Sequence, residues 1–250
     1  MISDKFIQNA GNKRLLIISG AGLSVESGME PFRFDDGLWD NFKINDVCNI
    51  ARLSSKYHVV HSFYNTLRVK LGECHPNEMH YFIKSLEDLY GDCFLHMTSN
   101  MDDLYTRIGG TELKLHGNLC EVIENFSINT DDYNVINCGY EPYIPKADVF
   151  AKPNVVMIGE YHRYVDGVRL PIYEERNEVL KSLTENDTVV VIGSSDTVLV
   201  WSRLAGALPC YSVNVNIRKN DNDFLFNEKV IKPATKAIPQ VETIIKERMR

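Results

Sequence analysis

No apolar run in this 250-residue chain approaches the roughly 18 residues that mark a membrane-spanning helix, so no membrane association of that kind is expected. Positive charge is also in short supply. Lys and Arg total 27 against 34 Asp and Glu, a net charge of -7, which disfavours the many phosphate contacts a nucleic-acid partner needs. The six cysteines, at 48, 74, 93, 120, 138 and 210, include no CxxC pair, and no secretory-leader pattern precedes them. They read as reduced thiols of a cytoplasmic protein. There is no internal repeat and no low-complexity tract, which excludes solenoid, collagen-like and disordered classes. With 44% hydrophobic residues the chain can build an ordinary core, and at this length no cross-link is needed to hold it.

What is present is a rhythm of short apolar runs and amphipathic stretches. Strands are expected at 14–19, 94–97, 113–115, 188–192 and 211–213, each ending in small or polar residues. Helices are expected at about 57–71, 77–90, 171–185, 199–207 and 236–248. Alternation of this kind predicts an α/β fold, a Rossmann-like doubly wound parallel sheet. Residues 118–152 break the rhythm, being rich in Asn, Asp, Tyr, Pro and Gly, and read as a small inserted module between two parts of one larger domain, 1–117 and 153–250.

Ligands of open α/β sheets bind at the carboxyl ends of the strands. Those ends hold Gly20-Ala21-Gly22, Ser99-Asn100-Met101-Asp102, His116-Gly117, Gly193-Ser194-Ser195 and Asn214. Gly20 and Gly22 are expected to let backbone amides approach a pyrophosphate, although Gly-x-Gly also marks any tight turn after a strand. The dinucleotide fingerprint G-x-G-x-x-G fails, because Val25 holds the third glycine position and no acidic residue ends a second strand at the expected distance. A hydride-transfer dehydrogenase is therefore disfavoured.

A longer pattern takes its place: GAGLSVESGMEPFR over 20–33, then GLW over 37–39. This resembles the sirtuin family of NAD-dependent protein deacylases, with its GAGxSxxSGIPDFR and GLW. The resemblance continues in order through Pro76-Asn77 with His80 (PNxxH), residues 98–102 (TQNID), 115–117 (LHG), 152–160 (KPxVVxFGE), 192–195 (IGTS) and Val213-Asn214 (IN). It implies a protein-lysine deacylase that uses NAD, transfers the acyl group to ADP-ribose and releases nicotinamide. By the same resemblance His116 is the general base, Asn100 holds the ribose hydroxyls and Asp102 the carboxamide. Gly20, Ala21, Gly22, Ser24, Phe32 and Arg33 line the cofactor on one side; Gly193, Ser194, Ser195 and Asn214 take the adenosine side, with Asn216 as a rival register for Asn214. Tyr64, Val156, Ile158, Gly159 and Glu160 are the implied contacts to an acylated protein or peptide. Without the flanking motifs, the plainer readings are a core histidine, Asn/Asp and Ser/Gly turns, and ordinary packing.

Several positions depart from the family. Its two CxxC pairs, which make a zinc site, are reduced here to Cys120 and Cys138 with no histidine between them, so no structural metal is expected. The module is expected to hold together by packing of Val122, Ile123, Phe126, Tyr133, Val135, Ile136 and Tyr140. Glu30-Pro31 replaces Pro-Asp, shifting the ring by one residue. Ser99 and Met101 replace Gln and Ile, and Ile158 replaces an aromatic, which leaves room for a larger acyl group. Tyr64 matches the tyrosine of desuccinylating members, but Leu67 stands where their arginine would be, followed by Arg68. The short GExLP is stretched to Gly159–Pro171, whose extra residues either gate substrate or form a solvated loop. Two alternatives to deacylation stay open: ADP-ribosyl transfer or NAD hydrolysis, and a non-catalytic NAD-binding module.

Overall fold

The computed structural model describes residues 1–29, 42–128, 133–165, 168–195 and 199–250. In chain order the regular elements begin with α1 (Asp4–Gln8), β1 (Leu15–Ser19), α2 (Ile44–Val47), α3 (Tyr57–Glu73), α4 (Glu78–Tyr90) and β2 (Phe94–Thr98). There follow β3 (Glu112–Lys114), β4 (Gly117–Glu124), β5 (Asn134–Asn137), β6 (Ala151–Val155), β7 (His162–Val165) and β8 (Val168–Pro171). The last elements are α5 (Glu174–Lys181), β9 (Thr188–Ile192), α6 (Trp201–Ala207), β10 (Tyr211–Asn216), β11 (Glu228–Ile231) and α7 (Ala234–Met249).

Six of these strands form one sheet in the order β11-β10-β9-β1-β2-β3, with every pairing parallel. All five residues of β1, β2 and β9 are buried, because both faces of the sheet are covered. Alternation then divides the side chains. Leu15 and Ile17 pack with Met79 and Ile83 of α4 and Val241 and Ile245 of α7. Leu16 and Ile18 pack with Phe6 of α1, Val179 of α5 and Trp201 of α6. Two helical layers around a parallel sheet are the doubly wound arrangement the strand–helix rhythm predicts.

The strand β11 escaped the sequence reading. Its EKVI buries only Val230, as an edge strand needs only one core contact, so it carries no apolar run. The segment 118–152 is more regular than its composition suggests. It contributes β5, most of β4 and the start of β6 to a three-stranded antiparallel sheet, β5-β4-β6. Val122, Ile123 and Phe126 are buried there, and Tyr133, Val135 and Tyr140 pack partly buried beside a cluster that includes Phe63, Leu67 and Leu71 of α3. The stretched segment before Pro171 folds as the hairpin β7–β8, which shortens the helix expected from 171 to one beginning at Glu174.

Candidate active site

In the sheet order β1 lies between β2 and β9, so the chain crosses to opposite sides of it and opens a crevice at the strand ends. Two glycine loops meet there. A Cβ on Gly22 would lie 2.6 Å from the Cα of Gly193, and one on Gly20 would lie 2.9 Å from the Gly193 carbonyl. Gly193 itself has φ +66, the left-handed region. The amides of Gly20 and Gly22 donate to the carbonyls of Ile192 and Gly193, both at 2.9 Å. What these two glycines supply is close approach of backbone to backbone, with their own N–H groups committed inside the protein.

On the neighbouring strand end a polar cluster assembles around Ser24. Its hydroxyl donates to Asp102 Oδ2 at 2.8 Å and accepts from Asn100 Nδ2 at 3.2 Å. Asp102 Oδ1 accepts the Leu104 amide at 3.2 Å, and the Asn100 amide donates to Thr98 Oγ1 at 3.0 Å. Asn100 and Asp102 are two residues apart, and Ser24 from the β1 loop fixes both side chains.

His116 lies just beyond β3, half-buried, with Nδ1 3.1 Å from the Ser99 carbonyl. A carbonyl only accepts, so Nδ1 carries the proton and Nε2 presents a lone pair. Burial pulls its pKa below the ordinary 6.5, outweighing the Ser99 hydrogen bond that acts upward, so the ring is neutral at pH 7. Gly117 follows with φ +86, and a Cβ there would sit 2.2 Å from the Asn154 carbonyl. The turn that presents His116 therefore requires glycine.

The adenosine-side positions separate. Asn214 is buried, and its Nδ2 donates to Asp223 Oδ1 at 2.7 Å. Asn216, at the end of β10, donates from Nδ2 to the Ser194 carbonyl at 2.6 Å and so reaches the Gly193–Ser195 loop. The Val-Asn-Val-Asn repeat leaves both registers open, and the two side chains have different partners in the structure. Ala21 sits between the two glycines in a single short helical turn, 21–23. Phe32 and Arg33, with the 37–39 motif, lie outside the described residues.

On the substrate side, Val156 donates its amide to the His116 carbonyl at 3.0 Å, placing this segment beside the candidate base. Ile158 is 58% exposed, with its amide on the Cys48 carbonyl at 2.7 Å, and Gly159 follows with φ +89. The Glu160 carboxylate turns inward instead, accepting the Met157 amide at 2.7 Å and standing 3.0 Å from buried Lys152 Nζ. Tyr64 is buried with its hydroxyl 3.6 Å from Cys48 Sγ. Arg68 points to the small sheet, donating to the carbonyls of Leu119 at 2.7 Å and Glu121 at 3.4 Å and to Asn65 Oδ1 at 2.6 Å. Its guanidinium is committed to two main-chain oxygens and the Asn65 side chain.

Asn77 was passed over in the site assignment, and its local geometry is informative. It caps α4 through its side chain, receives His80 in a reciprocal capping box, and donates from Nδ2 to the Leu23 carbonyl at 2.8 Å and Ser27 Oγ at 2.9 Å. The sequence signal was Asn followed three residues later by His at a helix start. Since His80 Nδ1 accepts the Asn77 amide, Nε2 carries the proton, and it is a buried donor without a hydrogen-bond partner among the described residues.

Cys120 and Cys138 face each other across β4 and β5, with the Cys138 amide on the Cys120 carbonyl at 2.8 Å. Burial raises both thiols, Cys120 to about 12, so both are protonated at neutral pH. Among the described residues no group of three or more His, Cys, Asp or Glu is placed to hold a metal ion. No helix among them is long and apolar enough to cross a membrane.

A dinucleotide fits this rim on one observation: the buried His80 Nε2 donor is unsatisfied among the described residues, within electrostatic reach of Asp102. Comparison with known proteins agrees. The Sir2 family model matches residues 20–200. An NAD-dependent protein deacylase of Helicobacter hepaticus is 31% identical over 92% of this chain and 96% of its own length. One of Escherichia coli is 30% identical over 97% of this chain and 86% of its own. Among solved structures, a Sir2 homolog–NAD complex aligns with TM-score 0.75 at 21% identity, covering 98% of this chain and 93% of that one. A mutant Sir2 homologue–ADP-ribose complex gives 0.76 at 21% identity, covering 98% and 96%. At these identities the structures establish the shared fold.

Proposed function

The chain belongs to the Sir2 family, and from that premise we propose that it is an NAD-dependent protein deacylase, moving the acyl group of a modified lysine side chain to ADP-ribose and releasing nicotinamide. The observation that carries the reading is the juxtaposition of His116, with Nε2 as lone-pair acceptor, and the Asn100–Ser24–Asp102 cluster at the same strand ends. NAD supplies a ribosyl carbon from which nicotinamide can leave. His116 would accept a hydroxyl proton at Nε2, Asn100 and Asp102 would offer a fixed donor and acceptor for the ribose and the carboxamide, and the Gly20 and Gly193 loops would border the phosphates. Asn216 takes the adenosine-side place assigned to Asn214. Val156 to Gly159 border the acylated peptide, and Glu160 supports that border through Lys152 and the Met157 amide. With Arg68 spent on carbonyls and Leu67 buried, the site favours uncharged acyl groups over a second carboxylate.

The larger unit is 1–117 with 153–250 and the module 118–152; reduced, protonated thiols suit a cytoplasmic setting. The test is nicotinamide release with acetyl-, propionyl- and myristoyl-lysine peptides and without peptide. Peptide-dependent release with O-acyl-ADP-ribose is expected. Release indifferent to peptide would assign the site to NAD hydrolysis or ADP-ribosyl transfer, and NAD binding without release would leave a binding module.

A further inference from the structure

Beneath the candidate NAD site runs a buried polar circuit that the reaction does not use directly. Glu112, at the start of β3, is 8% exposed and has a basic side chain within 4 Å of each carboxylate oxygen. On one side its Oε2 is 3.4 Å from Nδ1 of His96, a fully buried residue in the middle of β2. His96 Nε2 is 2.8 Å from Ser19 Oγ, which donates to Thr98 Oγ1 at 2.8 Å, and Thr98 Oγ1 accepts the Asn100 amide at 3.0 Å. On the other side Glu112 Oε1 is 3.5 Å from Lys114 Nζ, which donates to the carbonyl of Asp102. Ser24 closes the circuit between the Asn100 and Asp102 side chains. Two strings thus leave one carboxyl, one ending on the main chain of Asn100 and the other on that of Asp102.

Proton counting gives Glu112 two distinct states. The Ser19 hydroxyl proton is on Thr98, so Ser19 accepts from His96 Nε2, and His96 Nδ1 faces Glu112 with a lone pair. That lone pair has no hydrogen-bond partner among the described residues and stands 3.4 Å from Oε2, so it tolerates a neutral Glu112 and repels an anionic one, which Lys114 holds. The groups facing this carboxyl are Lys114, Asp102, Asp103 and His96, with the Tyr105 hydroxyl, bonded to Glu87, behind them. Burial is the dominant influence and pushes Glu112 up to about 7, while Lys114 acts downward and the two aspartates upward.

We propose that Glu112 and Lys114 are positioning residues for NAD capture, setting the main-chain positions from which Asn100 and Asp102 present their side chains. The proposal rests on the NAD-site reading above and concerns residues that touch no substrate. Lys114 fixes the Asp102 carbonyl only while anionic Glu112 orients its ammonium, so NAD affinity depends on the state of a carboxyl one strand away from the pocket. The change transmitted is the bonding of one carbonyl and one amide.

The experiment compares wild type with Lys114→Met, Lys114→Arg and the isosteric Glu112→Gln, after thermal melts confirm folding. It measures the NAD dissociation constant by calorimetry and the Asn100 amide resonance of the NAD-free protein from pH 6 to 8. Loss of one hydrogen bond to a charged donor corresponds to about tenfold weaker NAD binding in Lys114→Met, largely restored in Lys114→Arg. In wild type the NAD dissociation constant rises as pH falls through about 7, and the Asn100 amide moves with it. Glu112→Gln is expected to bind NAD weakly at every pH with a stationary Asn100 signal. NAD binding within twofold of wild type in Lys114→Met, or an Asn100 amide that still titrates in Glu112→Gln, overturns the proposal. If wild type binds no NAD at any pH, it is the NAD-site reading that fails; if it binds NAD with the expected pH dependence but lacks deacylation, only the chemistry assigned above fails.

Discussion

His116 shows how one residue's role depends on two backbone contacts. The Ser99 carbonyl accepts the Nδ1–H and Gly117 allows the turn, which orients the ring, while burial keeps it neutral. His116→Ala is expected to lower kcat by about 10²- to 10⁴-fold while NAD binding stays within a few-fold of wild type. The same geometry fixes the sign of the pH dependence. A base works unprotonated, and because burial lowers the His116 pKa below 6.5, kcat at saturating substrates should fall toward acid pH with its midpoint below 6.5. A kcat profile falling already above pH 7, or an unimpaired His116→Ala enzyme, would assign the base elsewhere.

At the scale of elements, polar and aromatic contacts tie the small antiparallel sheet to the elements around it. Arg68 of α3 donates to two carbonyls of β4, and Arg107 lies over the Tyr140 ring at 4.5 Å while bonding Asp103, which accepts the Tyr140 hydroxyl at 2.7 Å. Packing of Val122, Ile123, Leu119 and Phe63 adds roughly 1.5–3 kcal/mol per fully buried side chain. Chelator treatment is therefore expected to leave melting temperature and activity unchanged, with well under one zinc per chain by elemental analysis. Arg68→Met is expected to lower stability by about 1–3 kcal/mol per orphaned carbonyl in urea titrations, since two carbonyls of β4 lose their donor. Stoichiometric zinc lost together with activity would contradict this account of the module.

Across the whole molecule, three histidines are buried neutral: burial lowers His61 and His80 to about 4 and His96 to about 3. In the unfolded chain each takes a proton near pH 6.5, so between pH 6.5 and about 4.5 unfolding takes up three histidine protons. Glu112 acts in the opposite direction, since the fold keeps its carboxyl protonated up to about 7 and unfolding releases that proton. The net uptake from these four groups is two protons, so they make stability fall with decreasing pH by about 3 kcal/mol per unit in this window, and His116 acts in the same direction. Urea unfolding at pH 7, 6 and 5 measures the slope. A flat profile would mean that these histidines are not buried neutral. Arg14 and Asp187 form a solvent-free pair at 2.7 Å that ties the entry to β1 to the turn before β9.

Much of this was determined by the sequence alone. Apolar runs such as LLIIS and TVVVI, buried on both faces, can hardly be anything but central parallel strands, and the glycines, Asn100, Asp102 and His116 at their ends place the rim of the site. The edge strand β11, the hairpin β7–β8 and the small sheet were not legible, because each buries few side chains and is specified by pairing with distant segments rather than by its own period. Only the tertiary structure gave Asn214 and Asn216 different partners, turned Glu160 toward Lys152 and Arg68 toward β4, and spent the Gly20 and Gly22 amides on the carbonyls of Ile192 and Gly193. Likewise Glu112, His96 and Lys114 look unremarkable in sequence, and it is strand register that sets them side by side. A motif records which groups are present, but hydrogen bonds are directional and exclusive, so which groups remain available to a ligand is decided by the partners that folding brings.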